Sequence, residues 1–226
     1  MQRIFENIDC MIAMQQYPDK YFDLAIVDPP YFAGPNKRRY YGKSISTSLV
    51  KRHYYPVIDE WKIPDKAYFD DLFRVSKNQI IWGCNYFSYP FGSGRIIWDK
   101  CNGHSSFSDC EIAFCSLHDS VRLFRYMWNG MCQGKSITEG HIMQGNKSKN
   151  EKRIHPCQKP VALYEWLLQT YAKPGNIILD THVGSASSLI ACENLNFDYV
   201  GMEINGEIYK LATQRLESHR LQLTLL

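Results

Sequence analysis

The segment GNIILDTHVGSASSLIACENLNFDYVGMEIN, residues 175–205, constrains the fold more than any other part of the chain. The apolar run Ile177, Ile178, Leu179 stops at Asp180 and is followed by a loop of small residues. A helical pattern then runs over Ser187–Leu195, and a second apolar run, Tyr199–Met202, ends at Glu203. Two strands joined through a helix run parallel, and a parallel sheet must be covered on both faces.

Further short apolar runs bounded by turn signals repeat this theme at Asp23–Val27, Gln79–Trp82, Arg95–Trp98 and Glu111–Cys115. Helical patterns at Pro64–Val75, Val161–Tyr171 and Glu207–Arg220 separate several of them. The alternation predicts an α/β fold: a mostly parallel twisted sheet with helices on both faces. At 226 residues, with no stretch resembling a linker, the expectation is a single domain over 1–226. Two long segments, about 33–62 and 129–153, fit neither template and read as functional loops.

Composition narrows the setting less than the pattern does. A formal charge of +3 decides nothing by itself. Its distribution says more, because Lys37, Arg38, Arg39, Lys43, Lys51 and Arg52 crowd one long loop, and Lys147, Lys149, Lys152 and Arg153 the other. Such clusters suit solvated surface or a polyanion. The eight cysteines form no CxxC pair, and Cys110, Cys115 and His118 lack a fourth ligand at a recognisable spacing, so no metal site is expected. The opening Met1–Glu6 has no apolar signal core and no apolar run approaches ~18 residues, so a reducing cytoplasm and no membrane partner are expected.

The loop after Leu179 lies at the carboxyl end of its strand, where small residues let a ligand approach the backbone N–H groups of a helix start. Glu203, about twenty residues further on, is placed to accept hydrogen bonds from ribose hydroxyls. This arrangement suits the nucleoside half of a site, although a structural strand-helix turn would need the same residues. The second signal is AIVDPPYFAG at 25–34, in which a strand ending at Val27 meets Asp28-Pro29-Pro30-Tyr31. Proline fixes φ and donates no backbone hydrogen bond, so the chain leaves the sheet there. Taken alone, Asp28 in such a turn could merely cap a neighbouring helix.

The two signals together resemble the amino-group (N6-adenine/N4-cytosine) DNA methyltransferases that use S-adenosylmethionine, with DPPY ahead of the cofactor loop as in the circularly permuted β group. The segment HPCQKPVALYEWLLQTYAKPGNIILD, 155–180, is similar to that family's His-Pro-x-Gln-Lys-Pro segment, and RIIWDK, 95–100, to another of its strands. The loop departs from the family's Asp-Pro-Phe-x-Gly-Ser-Gly: here it reads Asp180-Thr181-His182-Val183-Gly184-Ser185-Ala186. Ala186 stands where glycine can adopt positive φ, so the turn is expected to use an ordinary conformation or to be slightly altered.

The resemblance implies a Rossmann-like methyltransferase fold and a division of roles. Asp28 and the Pro29 carbonyl would accept the hydrogens of an exocyclic amine, with Pro30 stiffening the turn and Tyr31 stacking on a base swung out of DNA. Asp9 would contact the cofactor's adenine, Glu203 its ribose, and Asp180 its methionine amino group. Gly184 and Ser185 would line its chain, His182 would stand for an aromatic packed on it, and Lys159 would meet its carboxylate. Lys37, Arg38, Arg39, Lys51 and Arg52 would grip DNA phosphates. Neither basic loop has the size of a separate recognition domain, which suggests a short target or a second subunit, such as a homodimer. Adenine N6 is the expected target, with cytosine N4 and a catalytically silent nucleic-acid-binding relative as alternatives. A nicotinamide-dependent oxidoreductase would explain the small-residue loop but not DPPY.

Overall fold

The computed structural model describes residues 2–31, 55–56, 62–103, 108–130 and 132–224. Two short elements that periodicity does not reveal come first: strand β1 (Arg3–Glu6) and helix α1 (Cys10–Met14). β1 is half-exposed along its length, so it carries no alternating signature, and α1 is five residues long with Asp9 as its N-cap. Then follow β2 (Phe22–Val27), α2 (Lys66–Val75), β3 (Ser76–Trp82), β4 (Arg95–Asp99), β5 (Cys110–Cys115) and β6 (Val121–Arg125). A small hairpin, β7 (Trp128–Asn129) and β8 (Cys132–Gln133), precedes α3 (Val161–Tyr171). The chain closes with β9 (Ile177–Asp180), α4 (Ser187–Leu195), β10 (Asp198–Met202) and α5 (Gly206–Thr224).

Among the described residues, eight strands form one sheet in the order β1-β10-β9-β2-β3-β5-β4-β6. The pairs from β1 to β3 are parallel, β5 runs antiparallel to both β3 and β4, and β4 and β6 are parallel again. The mostly parallel expectation holds, with β5 as its exception. β4 turns back through a hairpin-like connection into β5, which inserts between β3 and β4, and such a return needs no crossover helix. The segment 129–153, expected as an irregular loop, holds the β8 strand, a bridge between Gly134 and Met143, and a 3₁₀ turn at Lys147–Lys149.

Burial explains the layering. β2 is buried at five of its six positions, the unbroken apolar run of a strand covered on both faces. Leu24 and Ile26 point into one layer, with Leu163 and Leu167 of α3, Ile190 of α4 and Leu216 of α5. Ala25 and Val27 point into the other, with Met14 of α1 and Phe69, Leu72 and Val75 of α2. From β2 the chain crosses through α2 to β3 on one side; from β9 it crosses through α4 to β10 on the other. β2 and β9 are therefore neighbours whose connections diverge, which opens a crevice beyond their carboxyl ends.

Candidate active site

The register Leu24↔Ile178 and Ala25↔Leu179 sets the end of β2 beside the end of β9. Over this junction lies a cavity of about 740 Å³, lined by Asp9, Asp28, Pro29, Pro30, Tyr31, Lys159, His182, Gly184, Ser185 and Glu203 among others. Ten residues singled out from sequence thus share one space, although they are drawn from widely separated parts of the chain. Asp180 is not in that lining. Phe32 and the basic residues Lys37, Arg38, Arg39, Lys51 and Arg52 lie outside the described residues.

On the β9 side, carboxylates and backbone N–H groups hold one another. Asp180 is buried beneath the loop, where Oδ1 accepts the His182 N–H at 3.0 Å and Oδ2 the Ser188 hydroxyl at 2.5 Å. Burial pushes its carboxyl up to about 7, against the downward pull of those two bonds. Glu203 accepts the Gly184 N–H at 3.0 Å and the Asn205 N–H at 2.9 Å, tying the end of β10 to the loop. Burial raises Glu203 too, partly offset by these donors. Asp9 accepts the Met11 N–H at 2.8 Å and so fixes the start of α1 at the cavity wall.

Two loop substitutions take definite forms. Ala186 adopts φ +63°, so the turn keeps its left-handed geometry and a residue with a Cβ carries it, contrary to the expectation of an ordinary or altered conformation. Its neighbour Gly184 has φ +56°. His182 bonds through Nδ1 to Thr181 Oγ1 at 2.9 Å, and its ring meets Tyr68 edge-on at 5.4 Å. Tyr68 in turn shares a hydrogen bond of 2.7 Å with Thr181. Burial lowers His182 to about 4, so the ring is neutral and places no positive charge against a cationic ligand.

On the β2 side, charges from distant segments converge. Lys159 Nζ lies 2.5 Å from Asp28 Oδ2 and 2.9 Å from Glu111 Oε2, over the Trp82 ring at 5.5 Å. Glu111 also pairs with Lys100. The Lys159 ammonium is thus engaged by two carboxylates of the protein. Asp28 Oδ1 is buried and has no hydrogen-bond partner among the described residues. Sequence reasoning missed Glu111 and Lys100. The available signal was a charge at the inner end of each of two apolar strands, Glu111 in CEIAFC and Lys100 after RIIWD.

Tyr31 completes this wall. Its ring stacks on Tyr86 at 4.8 Å with planes 10° apart and meets Phe87 edge-on at 6.5 Å. Gly83 makes this possible, since a Cβ there would lie 2.3 Å from Tyr31 Cδ1, and its φ of +71° also favours glycine. Gly83 was not legible as a site residue, because its need for space arises only once Tyr31 packs against it.

The carboxylate acceptors suit a ligand that carries N–H, O–H or cationic groups. Asp9 and Glu203 present acceptors along one wall, Asp180 lies behind the loop, and Asp28 offers a buried acceptor with no partner among the described residues. The volume fits a nucleoside-sized ligand together with a second planar group.

Comparison with known proteins gives the same answer. A family model described as DNA methylase, of the N6/N4 group, matches residues 127–214. The Type II methyltransferase M.HpaI of Haemophilus parainfluenzae is 26% identical over 238 residues, covering 91% of this chain and 71% of that protein. The Type II methyltransferase M.HinfI of Haemophilus influenzae is 23% identical over 252 residues, covering 92% and 66%. The crystal structure of the M1.HpyAVI–SAM complex superposes with a TM-score of 0.51 at 20% identity, over 95% of this chain and 100% of that one, a likeness of fold. These matches support the amino-group (N6-adenine/N4-cytosine) DNA methyltransferases, which use S-adenosylmethionine, as the family that this chain resembles, with its motifs in permuted order.

Proposed function

We propose that this chain, acting as a single domain, methylates the exocyclic N6 amine of an adenine swung out of DNA. The observation that carries the reading is Asp28 Oδ1, a buried acceptor without a partner among the described residues, at the junction of the two strand ends. The Asp at the head of the tetrapeptide, which in the resembling family more often accompanies adenine than cytosine, supports the choice of base.

The bound cofactor supplies a methyl group already activated on a sulfonium. The protein's task is therefore to make the amine a better nucleophile. An exocyclic amine is weakly nucleophilic because its lone pair is delocalised into the ring. Asp28 Oδ1 and the Pro29 carbonyl each accept a hydrogen bond from one of its N–H groups, favour the pyramidal nitrogen and direct the lone pair away from the ring. Fixed acceptors facing the charge that develops on nitrogen are worth about 2.7–4 kcal/mol each, by analogy with the donors of an oxyanion hole. Pro30 keeps the carbonyl in place, and Tyr31 stacks on the base, offsetting part of the few kcal/mol needed to unstack it.

At the other end, Glu203 takes the ribose hydroxyls, Asp9 the adenine amine, and His182 packs as a neutral ring. Gly184 and Ser185 lie along the amino-acid chain of the cofactor. Asp180 faces its ammonium through the loop rather than from the cavity wall. The basic cluster Lys37, Arg38, Arg39, Lys51 and Arg52 holds phosphates.

Transfer of a labelled methyl group to mixed-sequence DNA, followed by digestion to nucleosides, tests the reading. Label in N6-methyladenine is the expected result. Label in N4-methylcytosine would move the target to cytosine, and cofactor binding without any transfer would leave a silent nucleic-acid-binding relative.

A further inference from the structure

Four charged side chains meet at the inner wall of the β2 corner, and the chemistry above uses only one of them. Lys159, ahead of α3, spans Asp28 and Glu111 with a side chain only 4% exposed. Glu111 on β5 is held in turn by Lys100, which follows β4. We infer that Glu111 is a positioning residue for methyl transfer: by sharing the Lys159 ammonium with Asp28, it fixes the orientation of that carboxylate and keeps it a strong acceptor. The inference rests on the proposed role of Asp28.

The physical reason is competition for one cation. A buried ammonium in contact with a single carboxylate would draw that group's negative charge toward itself and weaken its other oxygen as an acceptor. A second carboxylate on the same ammonium divides the attraction, and Lys100 restores neutrality to the group of four. Directions of titration agree. Burial opposes ionisation of Glu111, but Lys159 and Lys100 together outweigh it and hold the group at about 2. At Asp28 burial prevails over Lys159, and the charge of Glu111 adds to the rise.

The other titratable groups facing Asp28 cannot replace this arrangement. Tyr31, Tyr68 and Tyr164 are pushed up by burial and stay neutral, and Asp180 on β9 adds only a further carboxyl. His155, beside Lys159, is lowered by burial to about 4 and is neutral as well.

The test is carboxyl NMR on full-length chain labelled with ¹³C-aspartate, the Asp28 resonance being identified by its loss in Asp28→Asn. Glu111→Gln leaves Lys159 to Asp28 alone and should lower the Asp28 midpoint by about one unit. Lys159→Gln leaves Asp28 beside Glu111 and should raise it. In the methylation assay Glu111→Gln should lower kcat about tenfold, move its acidic limb in the same direction as the midpoint, and leave KM for S-adenosylmethionine unchanged. A defect of packing alone would not move the two midpoints in opposite directions. An Asp28 midpoint that stays put or rises in Glu111→Gln overturns the inference, and that variant decides alone if Lys159→Gln does not fold. Failure of the wild-type chain to transfer methyl would instead strike the functional reading, because the midpoint reports charge sharing whether or not transfer occurs.

Discussion

The two corners of the site are built by different means. The β9 corner is local: Asp180, His182, Gly184, Ser188 and Glu203 lie within one strand-helix-strand unit, and each carboxylate there is held by N–H or O–H donors of that unit. The β2 corner is assembled at long range, with Asp28 and Lys159 separated by 131 positions and joined by Glu111 from a third segment. A local corner can keep its shape when a neighbour changes. A corner held by charges from separate strands transmits any change in one of them to the acceptor it supports.

The largest test of that contrast is Asp28→Ala, which should abolish methyl transfer, a loss of at least about 10²–10³ in kcat. Affinity for S-adenosylmethionine, measured by calorimetry, should stay nearly intact because the β9 corner is untouched; loss of both would mean the corners are not separable. Next in size is Gly83→Ala, whose new methyl must displace the Tyr31 ring. A misplacement of about 1 Å can cost about 10²-fold, so kcat should fall by roughly that factor with cofactor affinity unchanged. An unchanged kcat would remove Tyr31 from the reacting geometry.

Acidity sharpens the comparison on the β9 side. Asp180 titrates near 7 in the folded chain, well above an unfolded aspartate near 3.8, so its contribution to stability is fully present below about pH 3.8 and is lost as pH rises through about 7. A melting series over that window should show this slope in the wild type and its loss in Asp180→Asn. A ligand ammonium favours the ionised carboxyl, so affinity for S-adenosylmethionine should weaken up to about tenfold per unit as pH drops below about 7. A flat binding profile would separate Asp180 from the ligand.

Ala186→Gly is the smallest change. Relief of a left-handed alanine, about 1–2 kcal/mol, is largely offset by a lost buried methyl of about 0.8 kcal/mol and a more flexible unfolded chain. Chemical denaturation should place the variant within about 1 kcal/mol of wild type. A larger gain would mean that the turn is strained beyond its φ.

The sequence by itself determined both strand-ended turns and the helices at Val161–Tyr171 and Ser187–Leu195 to the residue, while the family resemblance pointed to Asp9 and Lys159, which line the same cavity as Asp28 and Glu203. The turns, the helices, Asp28 and Glu203 were legible because each is signalled within a short window, by periodicity, by proline or by an acidic residue at a strand end. Only the tertiary structure decided that β5 runs antiparallel, that Lys159 serves Asp28 and Glu111, that Asp180 sits behind the loop, and that Gly83 makes room for Tyr31. Those facts depend on which side chains meet after the sheet is ordered, and neither a run of residues nor its spacing records the partner a buried charge will find.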